Sequence, residues 1–220
     1  MSIELKYKQN PLFGEKLMSD DRELIGVGMN AIDVVENIFN FHKIKEFSFT
    51  EYDPELTYPL GEDQPLYWDT WSGKKHIQNL SNLVVNRNMQ KFTIEGVDVN
   101  VHAILAIASK VVTDKGIKQI PMLDFNFSER EKGVEMIQNL ELPAGVILKT
   151  DHSYHYYGLN LINDDEWHKW FEKLLSIKDT KTLFGEKYLS LCLQRGYSAL
   201  RVFGYEGTSK QITPVVISKV

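Results

Sequence analysis

The segment Ile147-Leu-Lys-Thr-Asp-His-Ser-Tyr-His-Tyr-Tyr-Gly158 is the tightest constraint on this chain: an apolar run enters a polar turn and leaves it again, which reads as two strands joined end to end. Alternate residues of an extended chain point the same way, so Ser153 and His155 share a face beside Asp151. A second short apolar strand, Pro121-Met-Leu-Asp-Phe-Asn-Phe127, offers Asp124 and Asn126 at the same two-residue spacing. The two strand ends are expected to meet over one pocket, where a hydroxyl, an imidazole, carboxylates and an amide suit an anion or a metal ion.

A chain of 220 residues with 43% hydrophobic content can fill the core of one large domain or two small ones. Its formal charge of -5 argues against a surface that grips nucleic acid on every side, and leaves room for a local basic groove. The single cysteine, Cys192, excludes an internal disulfide framework and any multi-cysteine metal site, and suits a reducing compartment. The N-terminus lacks the apolar core of a signal peptide, and no run approaches the roughly 18 apolar residues of a membrane span. These features predict a soluble, cytoplasmic protein with no membrane contact.

Along the chain, Ser19-Asp20-Asp21 is expected to cap a helix whose apolar face carries Leu24, Val27, Ile32, Val35, Ile38 and Phe39. A strand is predicted at Glu46 to Phe49, followed by a proline- and glycine-punctuated segment ending at Trp68 and Trp71. Residues 73–89 are expected to be helical, with Ile77, Leu80, Leu83 and Val84 on one face, and Phe92 to Val99 to form a hairpin turning near Glu95-Gly96. The apolar stretch from Asn100 to Thr113 predicts a buried helix ending near Lys115-Gly116. Then come a strand (Gln119 to Phe127), a helix (about Ser128 to Leu140), strands at Ala144 to Thr150 and Tyr154 to Leu161, and a helix from Asp164 to Ile177 capped by Asp164 or Asp165. That helix buries Trp167, Trp170, Phe171, Leu174 and Leu175. A helix over Leu183 to Leu193 precedes strands at Tyr197 to Phe203 and Pro214 to Ile217. This order predicts an α+β fold, a mixed or antiparallel sheet with helices packed on one face.

Each polar motif has two readings. Asp124-x-Asn126 offers oxygen ligands to a hard divalent cation, and equally fits a turn capping the helix that starts near Ser128. Ser153-x-His155 suits phosphate binding or proton transfer, and also fits ordinary strand residues among tyrosines. Arg201 in an apolar strand and Lys210 in the following loop can clamp a triphosphate or a nucleic-acid backbone, or lie along the surface with their charges in water. A phosphoesterase built on His152 or His155 needs a second histidine motif, which His42, His76, His102 and His168 do not supply. No G-x-S-x-G elbow, Walker A loop or G-x-G-x-x-G is present.

Taken in order from Gln119 to Val220, these pieces resemble the archaeo-eukaryotic primase, or primase-polymerase, superfamily. In that family a strand ending Asp-x-Asp or Asp-x-Glu precedes a helix, a strand enters a Ser-x-His turn, and a later strand with an acid precedes a Leu-Arg element. Met122-Leu-Asp-Phe-Asn126, Lys149-Thr-Asp-His-Ser-Tyr-His-Tyr156 and Tyr197-Ser-Ala-Leu-Arg-Val-Phe-Gly204 with Lys210 resemble these three. The resemblance implies a primase-polymerase-like core over residues 116–220, with residues 1–115 packed on it. It makes Asp124 and His155 the catalytic residues and Asp124 and Asn126 ligands of Mg²⁺ or Mn²⁺, with Asp151 as a substitute ligand. Ser153, His155, Arg201 and Lys210 would contact the phosphates of a nucleoside triphosphate or of DNA or RNA. Asn126 stands where the family has its second acid, and Gln194-Arg195-Gly196 stands where the later acid falls, so two of three carboxylates are missing. The expected function is therefore nucleotide or nucleic-acid binding with residual nucleotidyl transfer. The alternative is an inactive scaffold that docks a protein partner through the aromatic stretch from Tyr52 to Trp71.

Overall fold

The computed structural model describes residues 25–52, 75–77, 84–86, 91–94, 97–98, 104–126, 130–140, 142–177, 180–185, 188–202 and 213–220. In chain order its elements are α1 (Ala31–Phe41), β1 (Glu46–Tyr52), β2 (Lys75–Ile77), β3 (Val84–Asn86), β4 (Lys91–Ile94), β5 (Val97–Asp98), β6 (Ile104–Thr113), β7 (Gly116–Gln119), β8 (Met122–Phe125), α2 (Arg130–Gln138), β9 (Gly145–Lys149), β10 (Tyr154–Gly158), α3 (Asp164–Leu175), α4 (Thr180–Phe184), α5 (Tyr188–Arg195), β11 (Ala199–Arg201) and β12 (Val215–Lys219). One sheet runs β12-β9-β10-β8 and a second runs β11-β6-β1-β2 with β7 also on β6; β3-β4-β5 form a small third sheet. The pairings among them are antiparallel, as the α+β reading predicts.

Alternation along β8, β9 and β10 divides the interior in two. Met122, Val146, Leu148 and Tyr157 join α1 residues Ile32, Val35, Ile38 and Phe39 and second-sheet residues Phe47, Ile107, Val111 and Leu200 in one core. Leu123, Phe125, Ile147 and Tyr156 face the other way, onto Ile137 of α2, Trp167, Trp170 and Phe171 of α3, Leu183 of α4 and Leu189 of α5. The expectation of helices on one face thus holds for α2 to α5, whereas α1 packs on the opposite face with the second sheet. The tryptophans of α3 are core residues, Trp167 stacking on Phe171 at 4.0 Å between ring centroids.

Several elements differ from their sequence readings for local reasons. Helix α1 begins at Ala31, where the Asn30 side chain accepts a hydrogen bond from Asp33 N–H at 3.0 Å. Gly28, at φ +93°, turns the chain ahead of it, and Val27, expected on the apolar face, is 70% exposed. The cap expected at Ser19 to Asp21 lies outside the described residues. Of residues 73–89, those described are strands β2 and β3, because pairing with β1 and β4 outweighs a helical spacing. The predicted helix over Asn100 to Thr113 is strand β6: Ala106, Ile107, Ala108 and Ser109 are all buried, so both faces are covered and the apolar run carries no two-residue period. Lys115-Gly116 belongs to the β6–β7 turn, with Gly116 at φ +95°. The single strand expected from Gln119 to Phe127 is divided at Ile120-Pro121, sending β7 to one sheet and β8 to the other. Gly185, at φ +77°, likewise lies between α4 and α5, where one helix was predicted. Helix α3 is preceded by Asn163 rather than capped by Asp164 or Asp165, with Glu166 Oε2 accepting from Asn163 N–H at 2.8 Å. Leu175, expected among its buried residues, is 38% exposed. The β4–β5 hairpin forms as predicted, although Glu95-Gly96 at its turn lies outside the described residues.

Two predictions follow from this packing. A Cβ on Gly145 would lie 2.3 Å from Tyr156 Cε2 and 2.6 Å from the Tyr157 carbonyl oxygen, the latter a backbone atom that cannot swing aside. Gly145→Ala is expected to cost about 1–3 kcal/mol in denaturant unfolding; an unchanged midpoint would refute that tight fit. His42, at the end of α1, donates from Nε2 to the Leu159 carbonyl at 2.8 Å, and burial lowers its pKa below 6.5 against the opposing effect of that bond. The unfolded chain then binds the proton more readily than the folded one, so this stability is present above pH 6.5 and lost as pH falls through the lowered value. His42→Gln should flatten the pH dependence of unfolding on the acid side.

Candidate functional site

Strands β8 and β10 pair with His155 directly opposite Asp124, so both side chains rise from one face of the first sheet. His155 Nε2 lies 3.6 Å from Asp124 Oδ1, just beyond the reach of a direct hydrogen bond. The histidine side chain is 5% exposed and the aspartate 39%, so the carboxylate is the part of the pair that reaches solvent. Behind it, Asp124 N–H donates to the Tyr188 hydroxyl of α5 at 3.2 Å. Burial pushes the Tyr188 hydroxyl well above its usual pKa and keeps it neutral.

The turn between β9 and β10 is held by two internal bonds. Thr150 N–H donates to the Ser153 carbonyl and Ser153 N–H donates to Thr150 Oγ1, each at 3.0 Å. Ser153 Oγ is buried and has no hydrogen-bond partner among the described residues. Between them, Asp151 Oδ2 accepts from Arg201 Nη2 at 2.5 Å, with the side chains only 9% and 4% exposed. Arg201 lies on β11, opposite Ala106 of β6, so this ion pair joins the turn of one sheet to a strand of the other. Removing one member of so buried a pair costs about 3–5 kcal/mol, because the other charge is left uncompensated.

Tyr157, two residues beyond His155 on the same face, has no place in the sequence motifs. Its ring centroid is 6.5 Å from that of His155, and its buried hydroxyl has no hydrogen-bond partner among the described residues. Burial drives its pKa far upward, with Arg201 lowering and Asp124 raising it, so the phenol stays protonated. The two-residue rule that groups Ser153 with His155 also selects Tyr157, and was the available signal.

The fold therefore brings Asp124 to His155 and Asp151 to Arg201, with Ser153 in the turn two residues before His155. Asn126 is exposed just past β8, its backbone N–H donating to the Leu183 carbonyl at 2.8 Å and its side-chain amide lying beside Gly185. Lys210, Trp68 and Trp71 lie outside the described residues, as does the expected docking stretch beyond Tyr52. Cys192 is buried and its thiol is pushed up to about 11, chiefly by burial, which removes it as a nucleophile near neutral pH. Among the described residues, no group of three or more His, Cys, Asp or Glu side chains gathers where it could hold a metal ion. None of the described helices is long and apolar enough to cross a membrane.

Compared with known families, residues 80–213 match the model of the archaeo-eukaryotic primase 1D-like family, more than half of the 220-residue chain. The chain belongs to this family. No curated protein and no solved structure matches it. The match begins ahead of Gln119, where the sequence motifs start, so the primase-like region also takes in β3 to β6. Inside it lie β8, the Ser-x-His turn and β11, the three elements that supply the site.

In this primase-like chain, Tyr157→Phe removes a buried hydroxyl without removing the ring. Its expected effect on unfolding free energy ranges from neutral to a gain of roughly 1 kcal/mol. A clear loss in urea unfolding would reveal a hydrogen bond made by that hydroxyl in solution.

Proposed function

We propose that this chain binds a nucleoside triphosphate over the ends of β8 and β10, the nucleotide arriving as its Mg²⁺ or Mn²⁺ complex. The observation that supports this reading is the Asp124–His155 pair, set directly opposite across two strands with the carboxylate open to solvent. A single accessible carboxylate is a poor resident metal site. It suits a hard cation whose remaining ligands are phosphate oxygens and water, the arrangement by which Mg²⁺ commonly joins nucleotides to proteins. Asp124 would take the cation, while His155 and Ser153 would donate hydrogen bonds to phosphate oxygens; Asn126, whose side-chain amide lies beside Gly185, is not assigned to the cation.

Nucleotidyl transfer joins a primer hydroxyl to the α-phosphorus and releases pyrophosphate, and its cations neutralise charge on both the attacking and leaving oxygens. With one acid in place of three, binding is expected to outlast catalysis, and any extension of DNA or RNA to be slow. The site then serves as a nucleotide-binding pocket with residual transferase activity.

Calorimetric titration with a nonhydrolysable nucleoside triphosphate, with and without Mn²⁺, tests the assignment. Binding should require the metal, and Asp124→Ala should raise Kd at least about tenfold, or about 1.4 kcal/mol, while circular dichroism stays unchanged. Absence of binding by the folded protein in every condition would sink this reading in favour of a scaffold that retains the fold for a protein partner.

A further inference from the structure

We infer that Arg201 is a positioning residue of this pocket, acting through Asp151 to hold the Thr150–Ser153 turn, and not a clamp on the phosphates of the ligand. The inference rests on the nucleotide-binding reading for what the turn is positioned to do. Arg201 is the obvious cation for a triphosphate, yet its guanidinium is 4% exposed and lies 2.5 Å from a carboxylate that is itself 9% exposed. A phosphate taking that guanidinium would have to reach a buried group and compete with Asp151 for it, and breaking so buried a pair is costly.

The pair is also built in the right place to fix the turn. Asp151 lies between Thr150 and Ser153, which are joined by one backbone bond and one bond from Ser153 N–H to Thr150 Oγ1, each at 3.0 Å, and Thr150 is itself buried. Arg201 approaches from β11 of the second sheet, so the turn is tied to a strand that lies outside its own hairpin. What this leaves over is Ser153 Oγ, buried and without a hydrogen-bond partner among the described residues, at the mouth of the strand that carries His155. A neutralised Asp151–Arg201 pair brings almost no net charge to the ligand. The charge on the phosphates is met by the accompanying cation at Asp124, and the turn contributes the direction of its hydroxyl.

The decisive experiment compares wild type with Asp151→Asn, Arg201→Gln and the double variant, by triphosphate titration in Mn²⁺ and by amide hydrogen exchange. Each single substitution should weaken binding about tenfold, and the double no more than the larger single effect, as for residues acting as one unit. In all three, the amides of Thr150 and Ser153 should exchange faster while those of Met122 to Phe125 keep their protection. Tighter binding in Asp151→Asn would overturn the inference, since a freed guanidinium would then be gripping phosphate. Weaker binding in Arg201→Gln with Thr150 and Ser153 still protected would overturn it too. If the single variants fail to fold, the double, which removes both charges together, decides by the same amides. If wild type binds no nucleotide, the proposed function falls, and the exchange data alone uphold the anchoring of the turn if protection is lost or reject it if protection stays.

Discussion

Because β8 and β10 pair with His155 opposite Asp124 and Tyr156 opposite Leu123, each strand sends one set of side chains to each of two cores. A slip of one residue would exchange the sets, turning a carboxylate or an imidazole toward Trp167 and Phe171 and stranding Tyr156 on the wrong side. The cost of burying those polar groups unpaired makes the register strongly specified. The site inherits its precision from this: two residues 31 positions apart in the chain face each other because the apolar residues on either side of them have nowhere else to go.

Around that register the buried polar groups divide into those that are satisfied within the protein and those that are not. Ser109 Oγ donates to Gln119 Oε1 at 2.7 Å and accepts from Ser198 N–H at 2.9 Å, and Gln119 Nε2 donates to Asp164 Oδ1 and to the Gly196 carbonyl. This network fastens the second sheet to the start of α3. Asp151 with Arg201 is its counterpart on the other side, fastening the second sheet to the β9–β10 turn. Both are structural joints. Ser153 Oγ and Tyr157 Oη are of the other kind, buried with no hydrogen-bond partner among the described residues, on either side of His155 in the chain.

The two-residue alternation in Ile147 to Gly158 was enough to place Ser153 and His155 on one face, since a strand bounded by polar turn residues leaves little choice of period, whereas the pairing of that hairpin with the strand carrying Asp124 came only with the fold. Amphipathic α3 was legible for the same reason, its tryptophans and phenylalanine recurring at helical spacing. Strand β6 was not, because an apolar run covered on both faces has no polar phase to reveal its period. The role of Asp151 was hidden in another way: its partner Arg201 is 50 residues distant, and nothing local distinguishes a carboxylate awaiting a cation from one already paired.

By itself, then, the sequence determined the strand-turn-strand unit, the family it resembles and the residues at its polar ends, because these follow from spacing over a few neighbouring positions. The tertiary structure alone decided that Pro121 divides one apolar run between two sheets, that Asp124 meets His155 at 3.6 Å, and that Asp151 is held by Arg201. Those outcomes depend on which strands pair and how much water reaches each charge. Both are set by long-range packing, which local patterning does not encode.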